Sequence, residues 1–207
     1  MHSTGIIKKV DNLGRIVLPK EIRKKLKIRE NDELEMFIEN EDTILLKKYS
    51  AMRDLKKDCM IYSELLHRET GFKVLFTDNE KIIACKGKNT ALLNGEEISE
   101  DVIEVINGRM AYSVNTATNF KVLKTDENLY PKVIVPIIVE SKTIGSVILF
   151  SDDEPRRGVK DKEYDLLRFV VSLIAMKLEI WILHKCYKLS KKKRYLFLNI
   201  SFFGHIC

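Results

Sequence analysis

Ser3-Thr4-Gly5-Ile6-Ile7-Lys8-Lys9-Val10-Asp11-Asn12-Leu13-Gly14-Arg15-Ile16-Val17-Leu18-Pro19-Lys20-Glu21-Ile22-Arg23-Lys24 is the stretch whose reading decides the fold. Thr4 to Val10 is a first run that ends in the turn cluster Asp11-Asn12-Leu13-Gly14. Arg15 to Leu18 is a second run, apolar and β-branched after its first residue, so the pair reads as two strands around a turn. Pro19 fits the first turn of a helix, where its missing N–H costs nothing, and Glu21 favours the positive end of that helix. Ile22 and Leu26 lie four apart on one face with Ile28 close behind, while Arg23, Lys24, Lys25 and Lys27 occupy the rest of the surface. Beyond the polar loop Arg29-Glu30-Asn31-Asp32, the segments 34–38 and 43–48 read as two more strands. A unit of about 50 residues built from short strands cannot bury a large core alone. It is expected to borrow apolar surface from a second copy, as an obligate dimer.

Working outward, residues 49–53 read as a connector, and Asp54 to Thr70 as a helix with Leu55, Cys59, Tyr62 and Leu66 on one stripe, closed by Gly71. Phe72 to Thr77 and Lys81 to Cys85 read as strands around Asp78-Asn79-Glu80, and Glu97 to Asn107 as a helix closed by Gly108. Lys132 to Val139 and Thr143 to Phe150 form a hairpin around Glu140-Ser141-Lys142. Val159 to Ile180 is a long helix with Leu167, Val170, Val171, Ile174 and Leu178 at helical spacing. This order predicts an α+β domain over 51–182, with an antiparallel sheet and its helices on one side. The two long helices carry stripes suited to pairing with a second copy, so a homotetramer is expected.

The composition, 45% hydrophobic and 32% charged, is that of a globular chain. The start of the chain does not read as a secretion signal, and no apolar run is long enough for a membrane helix, so a cytoplasmic protein with no membrane partner is expected. The net charge of +6 is misleading as a nucleic-acid signal. The last acidic residue is Glu179, and Lys185, Lys188, Lys191, Lys192, Lys193 and Arg194 behind it account for the whole excess. The body of the chain is balanced, so any DNA-binding argument rests on local arrangement. From Trp181 onward the chain also holds six of its 17 aromatic residues and no acid. Residues 183–207 therefore read as an atypical basic, aromatic tail, of the kind a frameshift or a missed stop produces; the other reading is a membrane-surface or nucleic-acid tail. Cys59, Cys85, Cys186 and Cys207 form no CxxC pair, and neither a metal site nor a cofactor is expected.

The quoted stretch, with Ile44-Leu45-Leu46-Lys47-Lys48-Tyr49, resembles the N-terminal domain of the AbrB family of transition-state regulators. The segments Val135-Pro136-Ile137-Ile138-Val139 and Ile144-Gly145-Ser146-Val147-Ile148-Leu149-Phe150-Ser151 resemble, more loosely, the central hairpin of a GAF domain, as in the family's sporulation-regulator type. The resemblance implies that residues 1–50 form an all-β swapped-hairpin barrel, in which two chains interleave into one dimer that binds double-stranded promoter DNA. A GAF-like α+β domain for oligomerisation, with room for an unidentified small-molecule ligand, would follow. Carried over by position, the family's DNA-contacting residues fall on Lys8, Arg15, Arg23 and Lys24. Lys stands at the first and last of these, where the family commonly has Arg. A lysine is a point charge without the fork that reads guanine edges, so phosphate contacts and DNA shape are expected to weigh more here.

Two other functions compete. Some antitoxins use this barrel to bind their own promoter, but those follow it with a disordered toxin-wrapping tail rather than a folded domain. Some GAF-fold proteins reduce methionine sulfoxide with cysteines, and Cys59 and Cys85 are available. Cys59, however, lies on an apolar stripe, Cys85 ends a strand, and only Lys86 adjoins either thiol to lower its pKa. No catalytic residue is expected. His67, isolated beside Arg68, reads as an exposed residue.

Overall fold

The computed structural model describes residues 4–30, 32–113, 120–125, 129–151 and 158–202, with the backbone alone for Ile182 and for 185–202. The chain divides into two compact units, 1–49 and 50–207.

The first unit holds helix α1 (Lys20–Lys25) and an antiparallel pair, β1 (Leu34–Asn40) and β2 (Thr43–Lys48). Asp11 organises the expected turn. Its Oδ1 accepts the N–H groups of Leu13 (2.9 Å) and Arg15 (2.8 Å), and Gly14 supplies the positive φ of 74° that the turn requires. Thr4 to Val10 and Arg15 to Leu18, expected as strands, form no ladder in the single chain. A strand needs a partner for its N–H and C=O groups, and one protomer offers these two runs none. The same incompleteness appears in the packing. Among the described residues of this unit not one is buried; Ile7 is 92% exposed and Ile38 85%.

The second unit is complete by itself. Helices α2 (Ala51–Asp54) and α3 (Lys56–Thr70) lead into β3 (Lys73–Thr77) and β4 (Ile82–Lys86). Residues 49–53, read as a connector, thus include a helical turn. The expected helix over 97–107 starts later, as α4 (Glu100–Gly108). Ser99 caps it by accepting the Val102 N–H at 3.2 Å, while Glu97 and Ile98 are held in β-bridges to Lys81 and Leu123. Then come β5 (Tyr112–Ser113), β6 (Tyr130–Val139), β7 (Lys142–Ser151) and the long helix α5 (Asp161–Phe202). The backbone of α5 stays helical through most of the tail, beyond the expected end at Ile180; the side chains of Cys186 and Cys207 lie outside the described residues.

The strands make one antiparallel sheet in the order β4-β3-β7-β6-β5. Alternate residues feed two cores. Val74, Phe76, Val133, Val135, Ile137, Val147 and Leu149 pack with Cys59 and Leu66 of α3 and with Leu167, Val170, Ile174 and Leu178 of α5. On the other face, Leu75, Ile134, Ile148 and Phe150 pack with Val102 and Ile106 of α4 and with Leu93, Ile98, Val122 and Leu123. The helices are therefore not all on one side. The period-2 pattern of these strands is apolar on both faces, which is the signature of a sheet covered twice. β7 lies so close to the end of β3 that a Cβ at Gly145 would sit 1.9 Å from the Thr77 carbonyl oxygen.

Candidate nucleic-acid interface

The Asp11 turn also holds a side chain. Asp11 Oδ2 accepts from Arg15 Nε at 2.8 Å, so one carboxylate fixes the turn and aims the guanidinium that follows it. These bonds to Arg15, backbone first and side chain second, hold the Asp11 carboxyl below its ordinary range. Arg15 remains 69% exposed at its side chain, and the pair occupies only Nε of a group with further donors. Asp11 was legible as a turn residue; its hold on Arg15 was not. The signal was the spacing of an acid four residues before a base across a glycine turn.

Arg23 and Lys24 lie on α1, where Arg23 N–H donates to the Pro19 carbonyl at 3.0 Å. Pro19 itself stands just before the helix. Lys8, Arg23 and Lys24 are exposed, and among the described residues none has an acidic partner. Lys27 is different. It takes a positive φ of 53° where α1 ends, and its carbonyl accepts from Lys48 Nζ at 2.9 Å. The segment that places these four cations thus brings two together on one short element and anchors a third through a turn, with Lys8 on the run before that turn.

In the second unit the two described thiols are held neutral. Burial and the Asp58 charge push the Cys59 thiol up to about 12, and burial raises that of Cys85, which sits inside β4 and donates to the Thr90 carbonyl at 2.9 Å. His67 is half-buried rather than exposed: its Nδ1–H donates to the Phe72 carbonyl at 2.7 Å. Among the described residues no cluster of His, Cys, Asp or Glu could hold a metal, and no helix is long and apolar enough to cross a membrane.

Residues 7–54 match the family described as "Antidote-toxin recognition MazE, bacterial antitoxin". Over 49 residues, 24% of this chain, the sequence is 55% identical to the transition state regulatory protein AbrB of Bacillus subtilis, spanning 50% of that protein. The fold of the second unit is that of the PixJ GAF domain of Thermosynechococcus elongatus, at a TM-score of 0.54 and 14% identity, covering 69% of this chain and 95% of that one. An AbrB-like swapped-hairpin domain joined to a GAF-like α+β domain defines a DNA-binding transcription regulator. Residues 54–179 match the family described as "Stage V sporulation protein T C-terminal, transcription factor", and stage V sporulation protein T of Bacillus subtilis is 33% identical over 163 residues, 78% of this chain and 92% of that protein. The chain belongs to the stage V sporulation protein T family.

Proposed function

We propose that two protomers interleave residues 1–50 and grip promoter DNA through Lys8, Arg15, Arg23 and Lys24, on a twofold axis that doubles the set. The observation that carries this reading is the Asp11-aimed, solvent-exposed Arg15 beside a short helix whose cations lack acidic partners. The arginines supply base readout and the lysines phosphate contacts. The four lysine–phosphate contacts of the dimer would make log K fall by about four per decade of salt. The genes controlled belong to sporulation or the stationary phase, by kinship with the relatives above, and the compartment is the cytoplasm. No catalytic step is assigned: a thiol held neutral by burial is a poor nucleophile.

The assembly we propose is a homotetramer, the second units pairing through their helices. Along α5, Phe169, Met176, Ile180 and Leu183 are exposed and Leu173 is half-buried, a 4-3-4-3 spacing that makes one seam. Met60 and Ile61 of α3 are exposed as well, and an ion pair between Lys177 and Asp58 joins the two helices. The domain boundaries assigned are 1–50, 51–182 and 183–207, the last being the atypical tail. It begins just beyond residue 179, where the family match ends. The family match of residues 7–54 also favours a second reading, an autoregulating antitoxin; a toxin gene adjoining this one is its test.

The DNA surface is tested by Arg15→Ala and Arg23→Ala against Lys25→Ala and Lys27→Ala, in a salt titration on promoter DNA with thermal melting in parallel. Each arginine variant is expected to lose about 1–3 kcal/mol of discrimination for the cognate sequence, and the two lysine variants little. Folded arginine variants that bind like the parent at every salt concentration would refute this surface.

A further inference from the structure

The second unit satisfies its buried polar side chains with care. Asp78 is 4% exposed; its Oδ1 accepts from the N–H groups of Glu80 and Lys81, and its Oδ2 from Ser50 Oγ at 3.0 Å and Arg53 Nε at 3.3 Å. Thr77 and Ser146 pair through their hydroxyls at 2.8 Å, and Thr70 Oγ1 donates to the Leu66 carbonyl. Lys132 breaks this pattern. It is 2% exposed near the start of β6, and its Nζ is the one buried side-chain polar atom among the described residues without a hydrogen-bond partner. A lysine ammonium is almost never buried unpaired, because nothing then replaces its hydration. Burial accordingly pushes its pKa down.

The backbone singles out the same residue. In the ladder of β6 with β7, Pro131 faces Phe150 and Val133 faces Leu149, so Lys132 is the extra residue of a β-bulge and opposes nothing. Bulges in sheets re-aim a side chain and recur beside binding sites. The ladder residues beside the bulge are apolar: Val133 on β6, and Leu149 and Phe150 on β7, one on each face of the sheet, are all fully or almost fully buried. On the other side of β6, Tyr112 of β5 pairs with Ile134 and its ring stacks on Phe120 at 5.0 Å. A buried, unpaired ammonium among apolar and aromatic residues, with Lys73 Nζ 6.0 Å over the Phe150 ring, is the composition of a site that orients a small acid.

We propose that Lys132 anchors a ligand site in the GAF-like unit, and that the ligand is a small molecule with an apolar body and one oxyanion, carboxylate or phosphoryl, seated on Nζ. A lysine is a point charge that accepts either geometry. The inference stands apart from the DNA-contact reading, since none of Lys8, Arg15, Arg23 or Lys24 enters it.

The test uses the full chain. Thermal unfolding of the parent and of Lys132→Met is followed in isovalerate, phenyl phosphate and inorganic phosphate, each against sodium chloride at equal ionic strength. Native mass spectra are taken of both proteins purified from their own cells. At a probe concentration 100-fold above its dissociation constant, a parent of this size is expected to melt about 5 °C higher or more. Lys132→Met is expected to lose that rise and the bound acid mass, and to melt at or above the unliganded parent, because a buried unpaired charge has been removed. A carboxylate response without a phosphate response, or the reverse, tells the two oxyanions apart. Inorganic phosphate alone raising the melting point would show that the apolar body is not recognised and would overturn that part of the proposal. No response of the parent to any probe together with no bound acid mass would overturn it entirely, as would a response that Lys132→Met retains. Should Lys132→Met fail to fold, Lys132→Gln takes its place, and the parent measurements decide regardless.

Discussion

Val17 and Phe76 are both residues of apolar, strand-type runs, yet Val17 is 74% exposed in the single chain and Phe76 is fully buried. The difference separates the two units. The second unit closes two cores within one chain, so its core residues find their partners along their own sequence. Residues 4–49 have the same kinds of residue and no core. Their apolar positions are specified for surfaces that belong to another molecule. An exposed valine in such a unit is thus the half of a contact whose other half is on the second chain.

The contrast breaks or sharpens under substitution. The largest effect is expected of Phe76→Ala, which should cost the second unit about 3–5 kcal/mol by leaving a cavity. Its chemical denaturation should report that loss equally at low and high protein concentration, because the core is intramolecular. Val17→Asp comes next, at about 2–3 kcal/mol, and acts on pairing instead. Concentration-dependent light scattering and promoter binding should both weaken at least tenfold while the second unit melts as before. Unchanged pairing in that variant would mean that the exposed face of the first unit stays in water. Met176→Glu tests whether the second unit, self-sufficient in its core, is also sociable at its surface. Placing a charge in the α5 seam should cost roughly 1–2 kcal/mol and convert tetramers to dimers in sedimentation, with the cores intact.

The smallest effect falls on the turn. Asp11→Asn should lower promoter affinity by about two- to fivefold, because an exposed ion pair positions Arg15 without storing much energy. Its pH dependence follows from the lowered carboxyl. A depressed folded pKa gives stabilisation that is present above the ordinary carboxylate value and is lost as pH falls through the lowered one. The ratio of parent to variant affinity should therefore stay flat from pH 8 to pH 5 and close only below 3.8, the ordinary aspartate value. Fluorescence anisotropy across that range checks it.

The sequence made some of this legible and hid the rest for physical reasons. Hairpin β6–β7 and the Gly71 helix stop were readable because period and turn chemistry are local. That α4 lies across the sheet from α3 and α5 was not readable, because a strand buried on both faces has lost the alternation that would say which helix goes where. The four cations of the first unit came from family resemblance and residue type. The hold of Asp11 on Arg15 needed coordinates, since a turn cluster and a positioning pair are written with the same letters. Lys132 was passed over as one polar letter at the head of a hairpin. Only burial, the bulge and the missing partner distinguish it from a lysine at a strand end.

The coreless first unit gives the molecule a kinetic order. A domain that folds only when two chains meet is governed by mass action, so the number of active pairs rises with the square of chain concentration when copies are scarce. A chain count halved would leave about a quarter of the DNA-binding pairs. If the second units are already joined through α5, the encounter becomes intramolecular, and the relevant concentration is the effective one set by the tether rather than by the cell. The order in which the two units assemble then decides whether the regulator answers steeply or in proportion to its own abundance.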